Sequence, residues 1–322
     1  MCKFKSGLIM KTRCVIAPGE NNSHSALLEE LNIVDNGWNA MNVFVRAELL
    51  PPNNEWWTDP DTWTANIDQD YVPEWFETDK ERYIAEFRAA VKEWWKQHVF
   101  VGQEIEGLSN GYFLLRDCHV SFLDKGACVV LMNSRVNNML DNSLVRGMRN
   151  STIENMFDKS VVQEMCDNST VKMMYHFSQI LEMCGSSKVQ EMRNNSAVLS
   201  MFEYSTIQRM YQNSSVKIMF NASVVEEMHD CAMIKDISDR STIREMYDCS
   251  VVLNMSGDST VQKMYGSSVI KGIYNGSGVR EMYEHSIAID RTTNKTIIHV
   301  AEKADMAMET HKNQKEEQKN GK

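Results

Sequence analysis

From Ser134 to Met282 the chain repeats one phrase, Ser-x-Val/Ile-x-x-Met, with polar residues in the gaps. The Ser slot recurs every nine residues without a break from Ser151, and Ala232 occupies it once. Val or Ile follows in all 17 units and Met in 15, with Ile237 and Ile273 as the exceptions. One residue is missing between Met148 and Ser151. A single helix does not fit: nine residues at about 100° each leave a half-turn offset, throwing successive Val/Met pairs onto opposite sides. Strands fit better. The position after Ser is often β-branched (Thr152, Val161, Thr170, Val251, Val269), and turn-forming pairs such as Asp141-Asn142, Asn194-Asn195 and Gly257-Asp258 separate the units.

Nine residues are too few for a closed coil, but a weaker period of eighteen is visible after Met. One set reads Phe157, Tyr175, Arg193, Tyr211, His229, Tyr247, Tyr265, Tyr283, and the alternate set Cys166, Cys184, Phe202, Phe220, Ser238, Ser256, Tyr274. The pattern predicts a mainly β protein: a parallel β-solenoid of nine-residue half-coils, 18 residues per coil, with Val/Ile and Met inside. Ser, being small, is expected at an inward corner with its hydroxyl on a turn backbone group. Fifteen uninterrupted units make about 7.5 coils, a rod of roughly 36 Å at ~4.8 Å per rung.

An open solenoid exposes strand edges, so its ends need covers. Residues 111–133 are apolar but off-pattern and are expected to form the first rung and its cap; 134–290 are the repeats. Ile287–Asp290 and Thr296–Val300 read as a hairpin within a closing segment, 291–304, and the charged tail 305–322 is expected to be disordered. Residues 1–110 differ in kind, for all seven Trp lie there. Residues 6–17 suggest paired strands, Ser25 caps a short helix through Leu31, and Asn42–Leu49 is strand-like. Thr78-Asp79-Lys80-Glu81 resembles a capping box opening a helix to about Gln97, with Ile84, Phe87, Val91, Trp94 and His98 as its apolar stripe. These elements predict a small α+β head domain docked on the first rungs.

The formal charge of −10 argues against a nucleic-acid partner, and the acidity is concentrated in residues 1–133, with 12 Lys/Arg against 20 Asp/Glu. No apolar run approaches the ~20 residues of a membrane span, and the opening is too polar for a signal peptide. Eight scattered Cys without a C-x-x-C pair read as free thiols in a reducing compartment, which points to the cytoplasm.

The segments MCKFKSG, NSHSALLEELNI, FVRAELLPP, IDQDYVPEWF and VKEWW together resemble an uncharacterised family of proteins from bacteriophages and gut bacteria. In that family a head of this length precedes variable Ser-x-Val-x-x-Met repeats. The resemblance implies a phage or mobile-element context and a host-cell cytoplasmic location, and it carries no assigned activity or catalytic residues. The rod is similar to pentapeptide-repeat and calcium-binding nonapeptide solenoids in architecture only, lacking the period of the first and the Gly-Gly-x-Gly-x-Asp signature of the second.

Candidate chemistry is sparse. A Met ladder offers soft thioethers to copper(I), but Met alternating with Val/Ile reads as core. Cys166 and Cys184 should stack on adjacent coils as two small side chains. Turn-slot Asp residues such as Asp158 and Asp230 lack the glycines of a calcium repeat, the eight His show no ligand spacing, and no metal or other cofactor is implied. The acidic run Asp59, Asp61, Asp68, Asp70, Glu74 is a solvated loop or partner surface before it is a carboxylate pair for hydrolysis. The row Tyr247, Tyr265 and Tyr283, with Tyr274 on the other side, is the candidate binding surface. The leading expectation is therefore a non-enzymatic binding protein, and the resemblance implies a host protein as its target, with inhibition of a host or defence factor as the effect. A self-associating structural rod and an enzyme sited in the Trp-rich head are the alternatives.

Overall fold

The structure, a computed structural model, describes residues 4–19 and 21–292 and the backbone of 295–298. Its dominant feature is a parallel β-solenoid of about 11 turns with about 18 residues per coil. Each repeat contributes one strand of five or six residues, and strands two units apart pair in parallel, as Thr152–Met156 does with Thr170–Met174. Alternate units therefore build two opposite faces. Like stacks on like: Ile153 lies under Val171 and Met156 under Met174, and these ladders are fully buried throughout the mid-rod. The ladder skips Glu154, where the strand bends so that Val/Ile and Met, three apart, both turn inward. Burying each such side chain contributes about 1.5–3 kcal/mol.

The turns follow from one backbone requirement. After Met comes a residue still in the ladder, then a residue with positive φ, then one free position and Ser. The Ser N–H closes the turn on the carbonyl of the residue after Met, as in Ser160 to Phe157 at 3.1 Å. Positive φ favours Gly, Asn and Asp, which hold most of these slots: Asp158, Asp167, Gly185, Asn194, Asp230, Gly257. A second selection acts there. The N–H of the slot residue is accepted by the side chain one coil on: Gln212 by Asp230 at 3.0 Å, Asp230 by Asp248 at 3.0 Å, Gly266 by Glu284 at 2.6 Å. Carboxylates and amides thus stitch the turns into a column. Ser is fully buried along the mid-rod. Some hydroxyls reach backbone carbonyls, such as Ser151 to Arg149 at 2.8 Å, but those of Ser160, Ser187 and Ser214 have no partner among the described residues. Size rather than hydroxyl chemistry selects the residue, as buried Ala232 in the same slot agrees.

The rod starts before the repeats do. A head strand, β1 (Lys5–Met10), pairs with β2 (Arg13–Ile16) and β3 (Phe44–Leu50), and β3 with β4 (Thr64–Ile67), all antiparallel. On one side of this sheet helix α1 (His24–Glu30) packs Leu27 and Leu28 on Leu8 and Phe44; its cap is Ser23, not Ser25, whose position is inside the helix. A short α2 (Gly37–Asn42) precedes β3, and α3 (Glu74–Thr78) ends where the long α4 (Lys80–His98) begins. Helix α4 buries Tyr83, Phe87 and Val91 on the other side of the sheet, and Trp94 against Val99 and Leu114. Asp79 does not cap it, its carboxylate instead taking Arg82. From α4 the chain passes directly into β5 (Val99–Val101), β6 (Glu104–Arg116) and β7 (His119–Met132), which are already solenoid strands, paired in parallel. Ile105 pairs with Val120, Val120 with Val136, Val136 with Ile153 and Ile153 with Val171, so the coil lengthens from 15 residues through 16 and 17 to 18. The tube widens away from the head and holds its width through the regular repeats. At the far end Ile287–Asp290 pairs antiparallel with Lys295–Ile298, the hairpin expected there. The tail 305–322 lies outside the described residues. No helix among the described residues is long and apolar enough to cross a membrane.

Candidate interaction surface

The residue after each Met is still hydrogen-bonded to the coil below, as Tyr247 N–H is to Met228 at 2.8 Å and Tyr265 N–H to Met246 at 2.8 Å. Its side chain lies at the edge of the flattened tube, and the coil repeat sets the residues there in register. The rings of Tyr211, His229, Tyr247, Tyr265 and Tyr283 form one stack, with centroids 4.9, 4.7, 5.0 and 4.9 Å apart and planes within 15° of parallel. Arg193 extends the column over Tyr211 at 5.3 Å, and Phe157 and Tyr175 stack at 5.1 Å beyond it. Tyr211 and Tyr265 have Arg209 and Lys263 two residues earlier, but the other three of the five outer tips are fixed by a carboxylate there: Tyr283 donates to Glu281 at 2.6 Å, Tyr247 to Glu245, and His229 Nε2 lies 3.2 Å from Glu227. Burial, with the Glu245 carboxylate accepting its proton, pushes the Tyr247 phenol far up, and hydrogen bonding to Glu281 raises Tyr283. These phenols stay protonated donors at physiological pH. The rings are half-buried by one another rather than freely outward, so the surface they offer is a rigid edge of ring rims and hydroxyls.

The opposite edge is discontinuous. Phe202 and Phe220 stack at 5.7 Å, Ser238 and Ser256 interrupt, and Tyr274 stands apart at 39% exposure. Its ring folds over Gly272, where a Cβ would meet it at 2.8 Å. The structure therefore brings Tyr247, Tyr265 and Tyr283 together and leaves Tyr274 on the other edge. The sequence places Tyr211 and His229 in the same 18-residue column, but the candidate binding row did not include them. On that second edge Cys166 and Cys184, expected as stacked free thiols, are joined in a disulfide with Cα atoms 4.8 Å apart. The coil register brings them together, since adjacent rungs are ~4.8 Å apart, within the reach of a disulfide. Cys14, Cys118, Cys128, Cys231 and Cys249 are free.

In the head, most of the Trp residues are structural. Trp63 is buried with its Nε1–H on Thr58, and Trp56 meets it edge-on at 5.5 Å. Lys5 is fully buried with Nζ donating to Gly19 at 2.8 Å and lying 3.6 Å over the Trp94 ring; burial lowers its pKa to about 7. Asp59 and Asp61 close on Lys92, and the Asp59 carboxyl is held below its usual value first by the Asp61 N–H. Asp68 sits 3.3 Å from His24 Nδ1, whose other nitrogen meets the Ala47 carbonyl at 3.2 Å. Glu48 completes a group whose ligand atoms lie within 4.8 Å of one another, with His24 and Asp68 already paired to each other. Compared with known protein families, curated proteins and solved structures, the chain matches none.

Proposed function

We propose that this is a non-enzymatic binding protein whose aromatic edge recognises another protein. The observation that carries this reading is the unbroken stack from Tyr211 to Tyr283, with His229, Tyr247 and Tyr283 also held by the glutamates behind them. A preorganised row of ring edges loses little conformational entropy on binding, and tyrosine is enriched among interface anchors. The resemblance of the head to phage proteins supports a host protein as the target, with inhibition as the effect.

The test is capture from host lysate by the full chain, followed by Tyr265→Ala. Tyr265 is stacked on both sides, so truncation costs about 1–3 kcal/mol of stability at two stacking contacts and should leave the rod folded. The expected result is a specific partner captured by the wild type, lost with Tyr265→Ala, and retained by Asp68→Asn and Asp70→Asn in the head. Full capture by Tyr265→Ala would remove the edge from consideration. Loss of function confined to the head variants would favour chemistry there instead.

A further inference from the structure

The two broad faces of the rod are unlike. On the face that begins with Thr152–Met156, outward positions carry Glu154, Lys172, Glu191, Arg209, Glu245 and Lys263, which pair between coils: Lys172 with Glu154 at 2.7 Å, Arg209 with Glu191 at 3.5 Å, Lys263 with Glu245 at 3.7 Å. Such a face is satisfied by itself and suits water. The opposite face begins with Val161–Cys166, and its outward positions include Val161, Leu181, Leu199, Ile218, Val251 and Leu253, all partly exposed. Aliphatic residues on a regular, flat surface are the mark of a face that is covered.

Part of this face is already covered by protein. Its outward column runs Val99, Leu114, Val130, Gly147, Glu164 through successive coils. On Val99, Leu114 and Val130 sit Trp94, Trp95 and Trp56 of the head. The aliphatic strip continues where the head stops. We propose that two copies of this chain pair through that strip, antiparallel about a two-fold axis, so that each rod covers the other.

Three features support a second copy. A flat strip is complementary to itself, as an isologous interface requires. Its area suffices: eight strands from Val161–Cys166 to Ile287–Asp290, at ~4.8 Å spacing and about 16 Å long, present about 600 Å² per copy, or about 1,200 Å² for the pair, above the ~1,000 Å² of a specific interface. The charges on these strands are Glu164 and Glu182 towards the head, Lys217, Lys235 and Asp236 in the middle, with Lys235 held 3.8 Å from Asp236, and Lys271 and Asp290 towards the far end. Antiparallel pairing sets Glu182, on the second of the eight strands, against Lys271 on the seventh of the other copy, whereas parallel pairing sets each against its own counterpart. The aromatic edge lies at the turns, outside the strip, so pairing leaves it open and the two surfaces can be tested separately.

The experiment is sedimentation velocity of the full chain from about 1 to 100 µM, which spans the range of ordinary homodimers. A dimer is expected, and Leu199→Arg with Leu253→Arg should raise its dissociation constant about tenfold or more while the far-UV spectrum and melting temperature hold. Glu182→Lys and Lys271→Glu should each weaken it, and together restore it. A wild-type chain that stays monomeric overturns the proposal and leaves the strip to a different protein. So does a dimer indifferent to the leucine changes, or one dispersed equally by Gln190→Arg on the charged face. Failure of the paired charge swap to restore the dimer overturns the antiparallel arrangement.

Discussion

Replacing Met210 with Asp tests the inward ladder most directly. Met210 has no exposed surface, and the residues stacked against it in adjacent coils are Met192 and Met228. Removing the side chain of a buried Met costs about 2–5 kcal/mol. A carboxyl among thioethers finds no cation, so it is forced to protonate and still lacks a partner, adding about 2–4 kcal/mol. The total, about 4–9 kcal/mol, is comparable with the whole stability of a typical domain. Each coil touches only its neighbours, so the damage should begin locally and lower the cooperativity of unfolding as well as its midpoint. The comparison is Gln208→Asp, two residues earlier, where the side chain is half-buried and bonds Glu226 at 3.4 Å. Losing that weak bond and facing a carboxylate that Arg244 already attends at 3.6 Å should cost under about 1 kcal/mol. Urea unfolding followed by far-UV circular dichroism measures both midpoints and slopes. Equal tolerance of the two changes would refute the inward assignment of Met.

Reduction of the Cys166–Cys184 bridge releases a cross-link 18 residues apart, worth about 3 kcal/mol on chain-entropy grounds, without altering any rung. A thiol reductant should therefore lower the melting temperature but not the β signal, and Cys166→Ser should melt identically with and without it. Lys5 predicts a pH dependence. Its folded pKa, about 7, lies below the ordinary 10.5, so between these values the unfolded chain binds more protons and stability rises with pH, by up to a few kcal/mol. Unfolding monitored by Trp fluorescence should show this rise in the wild type, and the difference from Lys5→Met should vanish if burial of the ammonium is not its cause.

The nine-residue phrase was enough to establish the solenoid, because inward position, bend and positive-φ turn each demand a residue type, and the demand recurs in every unit. The choice of Asp, Asn, Gln and Glu at the turn slot was legible as turn chemistry, but its second role was not. That the acceptor serves the N–H one coil earlier, as Asp248 serves Asp230, depends on a contact across 18 residues. Residues 111–133 were legible as an off-pattern first rung, but the coil that begins at Val99 was read as head, because coil length changes at each turn, so no period accumulates, and no Met ladder marks it. The column Tyr247, Tyr265, Tyr283 could be placed from spacing, whereas its rigidity could not, since stacking and the Glu245 and Glu281 bonds depend on ring orientation. The sequence by itself determined which residues face inward and which share a column, because local sterics and burial decide both. Only the tertiary structure decided that Cys166 reaches Cys184, that the head covers Val99 and Leu114, and that the intercoil ion pairs gather on one face and the outward aliphatic residues on the other. Those facts depend on which coil lies against which, and that register is set by the whole wound chain.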